Sequence, residues 1–364
     1  MWDGVYRVIS RTTQRKEDIP LVRDGKTLGN TESARALAET FYPDDNTQDD
    51  DAEHRLKRKI AEVVNEGSLD DSSDPPFTIE ELMWAASSFN PKKAPGNDGL
   101  TADICMAAIT LDPPLFLALA NKCLHLSYFP SKWKEAAVVV LRKSEKEDYT
   151  HPKSYRPIGL LPVLGKVVEK MMVRRIKWHI VPKISKSQYG FMPQRSTEDS
   201  LYDMIQYIKA RTNDKKLVLL VSLDIEGAFD NAWWPAIRCS LAEIGCPKNI
   251  RRLTDNYFED RSVCIKYLGT EWVKKTTKGC VQGSIGGPIF WNLLLNPLLQ
   301  ELNNGGDRCH AFADDVVLIF SGDNALEVQE QANAALERVR KWGVKNKLKF
   351  APHKTKAMII TNKI

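Results

Sequence analysis

Two stretches of this chain set carboxylates against strongly apolar sequence, and few folds tolerate that. In LVLLVSLDIEGAFD, Asp224 stands at the carboxyl end of a run that reads as a strand over 217–223, and Asp230 follows six residues later. In CHAFADDVVLIF, Asp314 and Asp315 lie between two apolar runs. Adjacent strand residues point to opposite faces, so this pair can act together only at the tip of a hairpin, which the flanking runs permit. Burying an unpaired carboxylate is costly, so acids in such settings are paired, protonated or bound to a cation. Asp224 with Asp314 and Asp315 beside it would make a hard, oxygen-rich site suited to Mg²⁺. Taken alone, the Asp-Asp pair fits a surface turn equally well, because Asp favours turns.

The rest of the chain alternates helical and strand patterns, and the expected class is α+β. Helices are expected over 32–41 and 53–65, with PDDNTQDDD between them and DDSSDPP as a linker. Thr78 and Glu81 form a T-x-x-E capping box for a helix running to about Phe89. A sharp loop, NPKKAPGNDG, precedes a helical stretch over 102–128. Strands are expected over 136–141 and 155–160, then a helix over 165–179. Ser196 and Asp199 cap a helix that carries Leu201, Ile205 and Ile208 on one face. A helix over 233–244 and a hairpin turning at Leu268-Gly269 follow. The seven cysteines have no CxxC spacing, which suggests reduced, buried thiols in an intracellular protein. Apolar runs such as 136–141 and 289–295 are far shorter than the roughly 18 residues of a membrane span, so a soluble chain without a membrane partner is expected.

At this point the motifs resemble a family. SLDIEGAFD and FADD are similar to the two catalytic palm motifs of reverse transcriptases, and GCVQGSIGGP to the glutamine-glycine motif between them. SYRPIGLLPVLGKVVEK, QYGFMPQRSTEDSL and KKAPGNDGLTADI resemble the fingers motifs, and the segment preceding them, of non-LTR (LINE-type) retrotransposons. The resemblance runs in order from about Phe77 to Met358 and looks closest to the type-1 insect elements that insert into ribosomal DNA. It implies a right-hand polymerase fold with an antiparallel palm sheet flanked by helices. The expected divisions are a lead-in over 1–75, fingers over 76–215 and palm over 216–364, with the reverse transcriptase domain at about 130–364. The chain ends ten residues after Lys354, so the thumb is expected to be absent.

The resemblance also implies roles. Asp224, Asp314 and Asp315 match the catalytic aspartates, and the backbone carbonyl of Ile225 matches an additional metal ligand. Two Mg²⁺ ions, with Mn²⁺ as an alternative, are implied, about 3.5–4 Å apart. Phe229 matches the aromatic steric gate that selects dNTP over rNTP. Gln282 and Gly283 match the pair lying along nucleotide and template, and glycines there let backbone approach a ligand closely. Arg156 matches a triphosphate-contacting arginine, suited by its fork of donors. Lys354 matches the lysine near the leaving pyrophosphate, a general acid. Lys92, Lys93, Gln188, Tyr189 and Arg195 are expected to contact the template or hold the fingers.

The implied activity is RNA-directed DNA synthesis by nucleotidyl transfer, and in the full protein target-primed reverse transcription. Implied partners are an RNA template, a DNA primer or target, dNTPs, and the element's own RNA in a ribonucleoprotein. An endonuclease is expected elsewhere in the polyprotein. Synthesis and particle assembly are expected in the cytoplasm, and integration in the nucleus. Two readings stay open beside this one: an RNA-templated RNA polymerase and a non-catalytic RNA-binding descendant.

Charge supports a polyanion partner. Residues 44–74 hold 11 acidic and 4 basic residues, a balance of −7, whereas the rest of the chain holds 36 and 48, a balance of +12. The positive excess is expected to line the groove between fingers and palm. Nucleic-acid affinity should therefore fall steeply with salt through counterion release. A flat log K against log salt, measured by fluorescence anisotropy, would place the excess elsewhere.

Overall fold

The computed structural model describes residues 18–66, 74–144 and 146–362. A short hairpin, β1 (Val22–Arg23) and β2 (Lys26–Thr27), leads to helices α1 (Asn30–Phe41), α2 (Ala52–Val63), α3 (Ile79–Ser87), α4 (Ala102–Leu111) and α5 (Pro113–Leu126). Strands β3 (Glu135–Arg142) and β4 (Tyr155–Leu160) precede α6 (Val163–Ile180) and α7 (Thr197–Asn213). Next come β5 (Leu217–Leu223), α8 (Trp234–Glu243), α9 (Lys248–Phe258), β6 (Ser262–Tyr267) and β7 (Thr270–Lys275). The chain continues through α10 (Gly287–Asn304), β8 (Arg308–Phe312), β9 (Asp315–Gly322), α11 (Ala325–Lys345) and β10 (Lys356–Ile360). The class is α+β, as expected.

Among the described residues the longer strands form two four-stranded sheets. One, in the order β10-β5-β9-β8, is antiparallel throughout. The other, β4-β3-β6-β7, contains one parallel pair, β3 with β6. β5 is apolar except at Ser222 because both of its faces are covered over most of their length. Met204, Tyr207 and Ile208 of α7 lie over Val218 and Leu220, while Val221 and Leu223 point into the main core with residues of α10 and α11. The last β5–β9 pair is Leu223 with Val316, so Asp224 follows at the position facing Asp315.

Three details differ from the sequence expectations. The stretch over 102–128 is two helices bent by 104°, because Pro113 and Pro114 have no amide proton to continue α4. Asp112 instead caps α5, accepting from the Leu115 amide at 3.2 Å. On α7, Leu201 and Ile205 are 52% and 46% exposed. The helix turns its Tyr207 side to the sheet, where the hydroxyl bonds Ser321 Oγ at 3.0 Å. Finally, residues 18–66 pack against the β4-β3-β6-β7 sheet and against α8 and α11. α1 buries Leu37 and Phe41 in one core cluster with Val263, Ile265 and Tyr267 of β6. Before α2, Asp45 bonds Arg58 at 2.7 Å, the Trp233 indole at 3.0 Å and Lys347 at 3.3 Å. Part of the acidic segment is therefore counter-charge inside the fold. Its Asp70 and Asp71 lie outside the described residues.

α3 is tied to α6 by a buried fork. Arg175 places Nε and Nη2 each 2.6 Å from the Glu81 carboxylate, the same glutamate that completes the Thr78 capping box. Replacing Arg175 by Met should destabilise the chain by about 3–5 kcal/mol, because Glu81 would be left buried and unpaired. In urea unfolding, the double change Arg175→Met with Glu81→Gln should recover much of that loss. An additive double variant would show that the two side chains are not coupled.

Candidate active site

The end of β5 and the β8–β9 turn bring three carboxylates to one edge of the sheet. Asp224 is half-buried, and its Oδ1 lies 3.1 Å from Lys354 Nζ, which comes from the loop before β10. The Asp224 carbonyl accepts from Ala351 N at 2.9 Å, and Glu226 N donates to Lys349 O at 2.8 Å. These bonds flank Ile225, which sits opposite Phe350, and leave its own carbonyl out of both. Phe312 pairs with Asp315 across the turn, with Ala313 at φ 61° and Asp314 between them. The expected hairpin tip is present.

That tip is gripped from below. Gln188 Oε1 accepts from Gly190 N at 2.8 Å and Ala313 N at 3.3 Å, and the Trp291 indole donates to Ala313 O at 3.0 Å. Gly190 lies so close that a Cβ there would sit 2.2 Å from Ala313 N. Template contact by Gln188 is thereby corrected: its side chain is 1% exposed and supports the turn. Tyr189 likewise stacks on His310 of β8, with ring centroids 5.6 Å apart. Arg195 donates to the carbonyls of Ser185 and Gln188 at 2.8 and 2.6 Å, which closes the same loop. Of the expected template group, Lys92 and Lys93 are exposed in a turn organised by Asn90.

The segment over 229–232 is laced to 279–283. Cys280 N donates to Phe229 O at 2.7 Å, Gly279 N to Ala232 O at 2.8 Å, and Gln282 Nε2 to Asp230 Oδ1 at 3.3 Å. The Gln282 carbonyl accepts from Gly159 N of β4 at 2.7 Å. Gly283 has φ +118°, and a Cβ there would come within 2.3 Å of Gly159 O, so only glycine fits. Phe229 is half-buried between Phe191 and Trp291, at 6.3 and 5.7 Å. Arg156 is exposed on β4, and its charge, with those of Lys146 and Lys354, acts on Lys143.

Electrostatics marks the same place. The Asp314 carboxyl is held above the usual carboxylate range by burial first, then by the charges of Asp315 and Asp224, against a bond from its own amide. Burial pushes Asp230 up to about 7, against the Gln282 bond and the nearby Lys143. Among the described residues no three His, Cys, Asp or Glu side chains already stand as a metal-holding group. Asp224 is engaged by Lys354 instead. The donor chemistry nonetheless fits a divalent ion, since like charges coupled at Asp314 are what a cation relieves and all the donors are oxygens. A concavity of about 620 Å³ between α2, α8, α10 and α11 lies away from these carboxylates.

Three positioning residues had no role in the sequence reading. Glu169 of α6 is buried and accepts from Ile285 N, Gly286 N and Tyr257 Oη at 2.8–2.9 Å, which fixes the glycine-rich turn. Its signal was an acid among the valines and methionines that form the buried face of α6. Asp230 holds Gln282, and Lys143 lies in the cationic cluster near both.

The family model for reverse transcriptase (RNA-dependent DNA polymerase) matches residues 142–364. The chain belongs to that family. It is 32% identical over 346 residues to the 115 kDa protein in type-1 retrotransposable element R1DM of Drosophila melanogaster, covering 94% of this chain and 31% of that protein. It is 31% identical over 347 residues to the retrovirus-related Pol polyprotein from type-1 retrotransposable element R1 of Bradysia coprophila, covering 94% and 33%. Against the RNA-directed DNA polymerase from mobile element jockey of Drosophila funebris, identity is 27% over 298 residues, covering 79% and 32%. The chain thus spans about a third of the length of the curated relatives it matches. The similarity to the two type-1 elements reaches beyond the family model into the segment that holds α1–α5.

Asp230 makes the stability of the chain depend on pH. Its carboxyl protonates near 3.8 when unfolded and about 7 when folded, so the stability it contributes is full below the lower value and lost as pH rises through the upper one. In metal-free buffer, urea midpoints should fall from about pH 5 to pH 8, and fall less in Asp230→Asn. Equal pH dependence in both proteins would show that Asp230 is already ionised at pH 5.

Proposed function

We propose that this chain carries the fingers and palm of an RNA-directed DNA polymerase from a non-LTR retrotransposon of the type-1 group. The observation that carries the reading is the β5–β9 register, which sets Asp224 opposite the Asp314–Asp315 turn. The β10-β5-β9-β8 sheet with its helices is the palm. The β4-β3-β6-β7 sheet with α3–α6 belongs to the fingers, joined to the palm through the Gly159–Gln282 bond.

In the reaction, the oxygen of a primer 3′-hydroxyl forms a bond to the α-phosphorus of a dNTP. The bond from that phosphorus to the bridging oxygen breaks, pyrophosphate leaves, and the proton of the hydroxyl passes to solvent water. Asp224, Asp314, Asp315 and the Ile225 carbonyl would hold Mg²⁺, with Mn²⁺ as a substitute, and such ions supply charge neutralisation at phosphate and a more acidic hydroxyl. The protein groups contribute positioning and charge. Lys354 holds a proton at Nζ beside Asp224 and donates it to the departing pyrophosphate. Arg156 offers its fork of donors to the triphosphate, with Lys143 adding charge nearby. Phe229, braced by Trp291, lies under the sugar and excludes a 2′-hydroxyl, and Gln282 and Gly283 line the nucleotide. Lys92 and Lys93 touch template phosphates.

The partners on this reading are an RNA template, a DNA primer or target, and the element RNA as a ribonucleoprotein assembled in the cytoplasm and delivered to the nucleus. An endonuclease resides elsewhere in the longer polyprotein.

Extension of poly(rA)/oligo(dT) by the full-length protein tests this. It should use dTTP in preference to UTP, and Phe229→Ala should erode that preference. Asp314→Ala should lower extension on the order of a thousandfold or more while leaving RNA affinity nearly intact. Preference for UTP would favour an RNA-templated RNA polymerase, and undiminished extension by Asp314→Ala would remove the metal-site assignment.

A further inference from the structure

α6 buries 11 of its 18 residues and leaves one stripe outward. Its buried positions include Val167, Val168, Met171, Met172, Arg175 and Ile176, whereas Lys166, Lys170, Arg174, Lys177 and Trp178 lie on the open side. Positions about four residues apart share a helix face, so these form a row. Its charged members are all cations.

Aromatic rings stiffen that row. Trp84 of α3 is 44% exposed and has the Lys170 ammonium 4.7 Å and the Arg174 guanidinium 4.4 Å from its ring centroid. Arg174 also lies 5.7 Å from the ring of Trp178, itself 51% exposed, and Lys170 lies 5.4 Å from Phe89. Among the described ion pairs none involves Lys166, Lys170, Arg174 or Lys177, although Arg175 beside them is fully paired with Glu81. The acid on α6, Glu169, is buried and bonded to the Ile285 and Gly286 amides. Burial lowers the ammonium pKa of both Lys170 and Lys177, so cations short of carboxylate partners are being held partly desolvated.

The row leads toward the polymerase site. The charge of Lys93 acts on Lys166, and the loop holding Lys93 packs on the end of β4, where a Cβ on Gly96 would meet Pro162 N at 2.5 Å. β4 in turn carries Arg156.

We infer that the Lys166–Trp178 face of α6, together with Trp84, binds a stretch of single-stranded RNA outside the catalytic cleft. Glu169 and Glu81 act on Lys166 and Arg174 only at a distance, so cations with no carboxylate in ion-pair contact call for a polyanion, and exposed indoles offer stacking surface to unpaired bases, which a duplex or an acidic peptide cannot use in the same way. From Lys166 to Trp178 the face runs about 18 Å along α6, enough for a few consecutive phosphates. The choice of RNA rests on the polymerase reading, while the polyanion surface does not.

The test uses the 364-residue chain and a fluorescein-labelled, unstructured RNA of about 20 nucleotides, read by anisotropy over a salt series. Lys170→Glu with Arg174→Glu should weaken binding about tenfold or more and reduce the slope of log K against log salt by about one to two. Lys170→Gln with Arg174→Gln should act in the same direction more weakly, and covers the case in which charge reversal lowers the thermal midpoint. Asp314→Ala should bind like the parent chain, and a short primer–template confined to the cleft should still be extended by the full-length charge variant. If the parent protein fails to extend any primer yet the charge variants lose RNA binding, the surface assignment stands and the polymerase reading falls. Unchanged affinity and slope in both variants would overturn the inference, as would equal loss for duplex RNA or stronger competition by polyglutamate than by unlabelled RNA.

Discussion

Seven consecutive residues of β5 pair with β9, from Leu217 opposite Gly322 to Leu223 opposite Val316, and the register of that ladder sets where three negative charges meet. A slip of one residue would turn every side chain of β5 to the other face, burying Ser222 and moving Asp224 away from the turn. The ladder is held because both faces are packed: Val218 and Leu220 lie under α7, Val221 and Leu223 against the main core. Hydrophobic burial here does work against Coulomb repulsion. The raised Asp314 carboxyl is the local sign of that opposition.

Around this ladder the chain is organised to keep backbone from moving. Gln188, Trp291 and Gly190 fix the β8–β9 turn, Glu169 fixes the glycine-rich turn, and Asp230 holds Gln282. Gly190 acts by having no side chain, and the others are largely buried groups whose lone pairs or protons are spent on main chain or on a neighbouring side chain. Those at the β8–β9 turn position the acids, and Glu169 and Asp230 position the 282–286 segment. They also couple the two sheets, since Gly159 of β4 donates to the carbonyl of the same Gln282.

Much of this was legible from residues alone where local chemistry is decisive. The strands over 155–160 and 217–223 fall where expected because turn residues or charge bound their apolar runs, and the Thr78 and Ser196 caps occur as their motifs predict. The Asp-Asp hairpin tip was legible because only that geometry makes adjacent strand carboxylates useful together. Less visible was anything that depends on which face a distant element covers. The Gln188 side chain reads as a polar loop residue until β8 is placed beside it, and the α7 stripe through Leu201 competes with one through Met204 that shares Ile208. The break before Pro113 escaped because proline is at home in a helix's first turn, which is where it stands in α5. Asp45 and Asp50 looked like solvated charge because their partners Arg58 and Lys347 are set by folding.

Those Asp45 contacts, read with the strand order, bear on when the site can exist during synthesis. Asp45 binds Lys347, 302 residues further along the chain, and β10 pairs with β5 only after residues 356–360 are made. Lys354, the cation beside Asp224, comes from the loop that β10 holds in place. A ribosome that has delivered β5, β8 and β9 has therefore made three mutually repelling acids but not their neutralising neighbour. The nascent chain passes through a stage with its most acidic edge open. Closure of that edge waits for β10, the last strand among the described residues.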